Sequence, residues 1–215
     1  MKTLPSNLVI LAFVALFSSA SLSACAQATS GAATSNAPAA DPAKTALVQP
    51  LQQTIAKMKK LVATGDPDFD YAYQAKLHAQ GVQDLLNQEI QNGKEPAIQQ
   101  LAKDMLPTTT NDVSMLDGTI KQLKPTRPNQ AFTQQQSRNI EAMNLKLQQN
   151  GASDKLTSSL DKNFTTLLLD QRQDAIDMAT TYLQYGKNEG LRAYAQQLID
   201  KAKKDMETAK AAMPK

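Results

Sequence analysis

His78 is the only histidine in this 215-residue chain and Cys25 its only cysteine, so chemistry that needs an imidazole or a thiol has one place to happen. Val82 and Leu85, four and seven residues further on, put His78 on the stripe of a helix that faces a core. There it is either a polar residue satisfied within the fold or a ligand. Cys25 closes the tetrapeptide Leu22-Ser23-Ala24-Cys25, behind a basic Lys2 and the apolar run Leu8 to Phe17, which is too short to span a bilayer. That order reads as a bacterial lipobox, in which the sulfur is the atom that takes the diacylglycerol. The competing reading is an ordinary signal peptide cut after Ala26-Gln27-Ala28. With its one thiol acylated, the mature chain has no disulfide.

Several other chemistries fail on residue type or spacing. A di-iron centre in a helical bundle needs two Glu-x-x-His motifs, which one histidine cannot supply. Asp66-x-Asp68-x-Asp70 starts like a calcium loop, but Tyr71 stands where the loop needs glycine and Leu77 where it needs the closing glutamate. These acids are therefore predicted to open a helix. The chain has no Gly-x-Ser-x-Gly elbow, no phosphate loop and no dinucleotide fingerprint. Its 23 basic and 20 acidic residues leave a net charge of +3, and no tryptophan is present; nothing here marks a nucleic-acid surface. Lys201, Lys203 and Lys204 read as one solvated helix end.

The elements that must position these residues come in two copies. Residues 69–106 align without a gap on residues 162–199, an offset of 93. Gln80/Gln173, Asp84/Asp177, Gln91/Gln184, Gly93/Gly186, Lys94/Lys187 and Ala102/Ala195 are identical, and the apolar positions Val82/Ala175, Leu85/Met178, Ile90/Leu183, Ile98/Leu191 and Met105/Leu198 correspond. A period this long means a duplicated helical unit and not a solenoid of short repeats. His78 falls opposite Gln171, so a candidate ligand in one copy is an amide in the other. Asp84 and Asp177 lie off the inward stripe and are predicted to be surface or helix-packing residues.

Asp41-Pro42 and Asp66-Pro67 each place an N-cap acceptor before a proline at the first helical position. Leu47, Leu51, Ile55, Met58 and Val62 recur at helical spacing up to Gly65, with Pro50 expected to delay the regular start. A second helix carries Phe69 to Ile90 and ends at Gly93, predicted as a left-handed cap. A third begins at Pro96, and because the apolar phase survives Pro107 it is read as one kinked helix. Three more helices follow in the second copy, and no segment alternates with period two. The expected fold is all-α: two repeated helical units, 41–124 and 130–215, joined by a linker at 125–129 and packed into an antiparallel bundle. They are preceded by a signal peptide at 1–24 and a flexible Ala/Ser/Thr/Gly-rich tether at 25–40.

Residues 66–116 and 161–206 resemble the domain-of-unknown-function family numbered 305, small secreted helical proteins often discussed as ferritin-like. The family pattern is His-His-x-x-Ala-Ile-x-Met-Ala, then a Tyr-Gly-Lys turn and a Leu-Arg-x-Leu-Ala helix. The second copy keeps Ala175-Ile176-Asp177-Met178-Ala179, Tyr185-Gly186-Lys187 and Leu191-Arg192-Ala193-Tyr194-Ala195, but Gln171-Arg172 replaces the two histidines. The first copy keeps one histidine as His78, has Ala79 for the other, and has Leu85 in place of the methionine. The resemblance implies copper bound through histidine and methionine, a pairing whose chemistry suits Cu(I). Of the motif ligands only His78 and Met178 survive, in different copies. Met105 and Met115 are the other soft donors close to His78 in sequence, although methionines at helical spacing commonly fill cores.

These features together predict a non-enzymatic lipoprotein, held to a membrane through Cys25, exported to the periplasm and sorted to the outer membrane because Ala26 follows the cysteine. Its inherited activity would be copper handling. The alternative is a metal-free module that binds another envelope protein or a small ligand through a Gln-rich face such as Gln134-Gln135-Gln136.

Overall fold

The computed structural model describes residues 41–153 and 155–213; the signal peptide, Cys25 and the tether predicted before residue 41 lie outside the described residues. Six helices follow in order: α1 (Pro42–Lys60), α2 (Pro67–Asn92), α3 (Pro96–Gln122), α4 (Gln130–Ala152), α5 (Leu160–Tyr185) and α6 (Glu189–Ala212). The described residues contain no strand, and no helix among them is long and apolar enough to cross a membrane. The fold is all-α.

The duplication is visible in the element boundaries. α2 and α5 are both 26 residues long, and their first and last residues differ by the same offset of 93. Each helix also touches its own counterpart: α1 packs on α4, α2 on α5 and α3 on α6, in addition to its neighbours in the chain. The two copies therefore meet like the subunits of a two-fold dimer, with α2 and α5 as the central antiparallel pair. Their stacking is anchored by Tyr71 near the start of α2 and Tyr182 near the end of α5, whose rings lie 4.2 Å apart and nearly parallel. Leu47, Leu51, Leu85, Leu86, Ile98, Leu116, Phe132 and Phe164 belong to one continuous core drawn from both copies. Each such side chain contributes about 1.5–3 kcal/mol by leaving water.

Polar joints at both ends of the α2–α5 pair make the relation reciprocal. Asp68, at the start of α2, accepts the amides of Lys187 (2.8 Å) and Asn188 (3.0 Å), which open α6 in the other copy. Asp161, in the same place on α5, accepts the amides of Lys94 and Glu95 (both 2.8 Å), which open α3 in the first copy. The acids of the apparent calcium loop are thus helix-start residues, as predicted, and each also ties down a different segment. Asp66 caps its own helix and accepts the linker amides of Thr126 and Arg127 at 3.0 and 2.9 Å. Asp70 holds the turn before α2 through Thr64 and Gly65.

Four local expectations need correction. Pro50 does not delay α1, which runs from Pro42 straight through it. α1 ends at Lys60, where Leu61 turns to extended backbone, so Val62 is 93 % exposed and not part of the core. The stop at Gly65 also fails: Gly65, the only glycine with positive φ among the described residues (+83°), sits in the turn before α2, and its carbonyl accepts the amide of Asn129. Gly93 and its counterpart Gly186 are not left-handed caps but extended, at φ −64° and −65°. They are glycines because the side chain one turn earlier folds over the helix end. A Cβ at Gly93 would lie 2.1 Å from Glu89 Oε1, and one at Gly186 2.0 Å from Tyr182 Cε2. By contrast α3 is a single helix across Pro107, with the hydroxyls of Thr109 and Thr110 bonded back to the carbonyls of Met105 and Leu106 beside it.

Candidate functional site

His78 and Met178 come from different copies, yet they line the same cavity. Antiparallel packing sets the first half of α2 against the second half of α5, which brings position 78 towards position 178. The cavity measures about 20 Å³, room for one water-sized occupant, and Thr109, Asp112, Arg172 and Tyr194 also face it. Both His78 and Met178 are buried, at 5 % and 2 % exposure. Of the other expected donors, Met105 is packed in the apolar core, and Met115 is 39 % exposed with its sulfur accepting the Thr119 hydroxyl at 3.5 Å. Neither reaches the cavity. The structure thus assembles two of the four sequence-predicted metal residues.

The electrostatics of the site follow from its dryness. Burial, then the positive charges of Arg172 and Lys146, push the His78 imidazole down to about 3, so the ring is neutral at any pH a cell meets. Its Nε2 is buried with no hydrogen-bond partner. The counterpart Gln171 is different, since its amide donates to Asp174 at 3.4 Å. The inward polar position is satisfied in one copy and left open in the other. A buried polar atom without a partner costs about 1–3 kcal/mol.

Arg172, the residue after Gln171, is buried too. Its Nη1 lies 3.6 Å from Asp205 Oδ2, while Nε and Nη2 have no partner. Asp205 is shared with Lys201 of the same helix, at 2.9 and 3.1 Å. Burial raises the Asp112 carboxyl above its usual value and does the same for the Tyr194 phenol, with Asp112 adding to the latter. The cavity wall therefore carries one imidazole and one thioether side chain, beside a guanidinium that two carboxyls partly offset. Among the described residues no three His, Cys, Asp or Glu side chains gather closely enough to hold a metal by themselves.

Comparison with protein-family models, curated proteins and solved structures finds no match to this chain. The likeness to family 305 rests on the residues quoted above.

Sequence reasoning missed the charged half of this site. Arg172 was visible only as a departure from the pattern the chain resembles, and its counter-ion is on another helix. One signal was available: Asp112 and Asp205 are a further identical pair at the offset of 93, beyond the aligned block. The Gln-rich face also needs correction. Gln134 is exposed, but Gln136 is 1 % exposed and donates to the Met178 carbonyl at 3.4 Å, so it is part of the packing behind the site and not a docking surface. Asp84 and Asp177 are exposed, as expected.

Proposed function

We propose that this chain is a lipid-anchored, non-enzymatic helical protein of the extracytoplasmic space, of the family 305 type, and that its role in copper handling is reduced to one Cu(I) position between His78 and Met178. The observation that supports this reading is the convergence of those two side chains on one cavity, with a neutral imidazole whose Nε2 has no partner. The donor set fits Cu(I), which accepts few ligands and favours a nitrogen with a thioether sulfur. It does not fit zinc or Cu(II): no thiolate and no second imidazole is present, and Arg172 opposes a doubly charged ion. Copper held here would be cargo, buffered and not turned over.

Titration of the protein with Cu(I) against a competing chelator tests the site. One equivalent is expected to bind, and His78→Ala should weaken it at least tenfold. Met178→Leu, which keeps the core volume, should do the same with little loss of stability. Failure of the wild-type protein to compete with a modest chelator would overturn the copper reading in favour of a metal-free envelope-binding module. The anchor has a separate test. Several acyl chains, each buried CH₂ contributing about 0.8 kcal/mol, would hold the protein to the membrane fraction. Cys25→Ala is expected to move it to the soluble fraction, and unchanged fractionation would defeat the lipoprotein assignment.

A further inference from the structure

The two reciprocal joints use different donors. At one end of the α2–α5 pair the Tyr182 hydroxyl donates to Asp68 at 2.7 Å. The residue at Tyr182's place in the other copy is Glu89, whose two carboxyl oxygens are buried with no donor and whose charged neighbour is Asp161, the counterpart of Asp68. The geometry is otherwise repeated: Glu89 is fully buried, and Gly93 leaves room for it as Gly186 leaves room for the tyrosine ring. A phenol carries the proton it donates throughout the biological range. A carboxyl can donate to a carboxylate only while it is protonated, and two ionised carboxyls in this position would repel each other.

We propose that Glu89 and Asp161 form a proton-held latch between the repeats, closed while the two carboxyls share a proton and opened when it is lost. What the latch holds is the start of α3, because Asp161 binds the amides of Lys94 and Glu95. The surroundings favour the protonated form. α2 has no basic residue in its last turn, and Lys94 and Glu95, whose amides Asp161 accepts, are exposed. Asp161 is the charged group that acts on Glu89, and no buried cation of the described residues favours the ionised form of Glu89. Neither Glu89 oxygen finds a donor among the described residues. Burial and Asp161 push Glu89 up to about 8. Asp161 is held below its usual value despite its own burial, because it accepts the Glu95 and Lys94 amides. An open depression of about 620 Å³, lined by Lys94, Glu95, Ser159 and Asp161, gives protons a route to the joint.

The sign follows from linkage. Glu89 binds its proton more tightly in the folded chain than in the unfolded one, where the usual value is 4.5. The latch's contribution to stability is complete below that value and declines as pH rises through about 8. An extracytoplasmic protein would experience this directly as its surroundings turn alkaline.

Residue-resolved hydrogen exchange on the full chain, with each rate divided by its intrinsic rate at the same pH, provides the test. Between pH 6 and pH 9 the amides of Lys94 and Glu95 are expected to lose protection at least tenfold more than those of Lys187 and Asn188, the phenol-held pair. Glu89→Gln supplies a donor that does not titrate, and Glu89→Tyr copies the other joint; either should keep the first pair protected at pH 9. Equal pH responses of the two amide pairs in the wild-type protein would overturn the latch. So would a selective loss at Lys94 and Glu95 that persists in both variants.

Discussion

Asp68→Ala is expected to lower the unfolding free energy by about 3–5 kcal/mol, a loss comparable to breaking a buried ion pair. The side chain is 4 % exposed and accepts from the Tyr182 hydroxyl, the amides of Lys187 and Asn188, and the Arg127 guanidinium. Arg127 is half-exposed and contributes little by itself. The other three donors are the costly ones, because alanine supplies no acceptor and each buried donor left unpaired costs about 1–3 kcal/mol. Two of them are the opening amides of α6, so the damage spreads to the packing of that helix on α5. Tyr182→Phe removes a single donor and keeps the stacked ring, and should cost about 1–1.5 kcal/mol. Urea unfolding midpoints at pH 7 check both values. A loss for Asp68→Ala no larger than that for Tyr182→Phe would show that water replaces the carboxylate and that the joint is weaker than its geometry.

The joint also shows what the sequence could and could not say. Asp68 was legible as a helix-start acid because its place after Pro67 is local, and Asp161 is its counterpart at the offset of 93. Their partners were not, since Lys187 and Lys94 meet them only after the copies have packed antiparallel. The same limit applies at the cavity. Periodicity placed His78 and Gln171 inward correctly, because an apolar stripe depends on residues four and seven apart. That His78 would meet Met178, and not its own copy's Met105, depends on which faces of α2 and α5 come together. Gly93 and Gly186 were readable as helix ends but not as clearance for Glu89 and Tyr182, because an end glycine looks alike whether it turns left-handed or makes room. Val62 was misplaced for a simpler reason: its spacing continues the stripe of α1, but the chain has left the helix at Leu61. Repetition carried further than any single motif, since it pointed to the bundle of two like units and the positions where the copies differ.

Arg172 is where that difference has the largest energetic consequence. Asp205→Ala removes the one carboxylate in ion-pair distance of a buried guanidinium, and Lys201, at 2.9 Å from the same carboxylate, loses its partner too. An uncompensated buried charge costs about 3–5 kcal/mol, and the variant should fall by that amount in urea unfolding. Adding Arg172→Met to Asp205→Ala should restore most of the loss, because the second substitution removes the charge that the first left stranded and roughly fills its volume. The coupling between the two sites is then several times the ~0.5 kcal/mol scatter of independent substitutions. Arg172→Met alone leaves Asp205 paired with Lys201 and should cost far less than Asp205→Ala. It also exchanges the cation in the cavity wall for a thioether, so the same variant should bind Cu(I) at least tenfold more tightly than the wild-type chain. If the double variant is as unstable as Asp205→Ala, the guanidinium is not stranded by the loss of Asp205. If Arg172→Met leaves Cu(I) affinity unchanged, Arg172 is not what limits metal at this cavity.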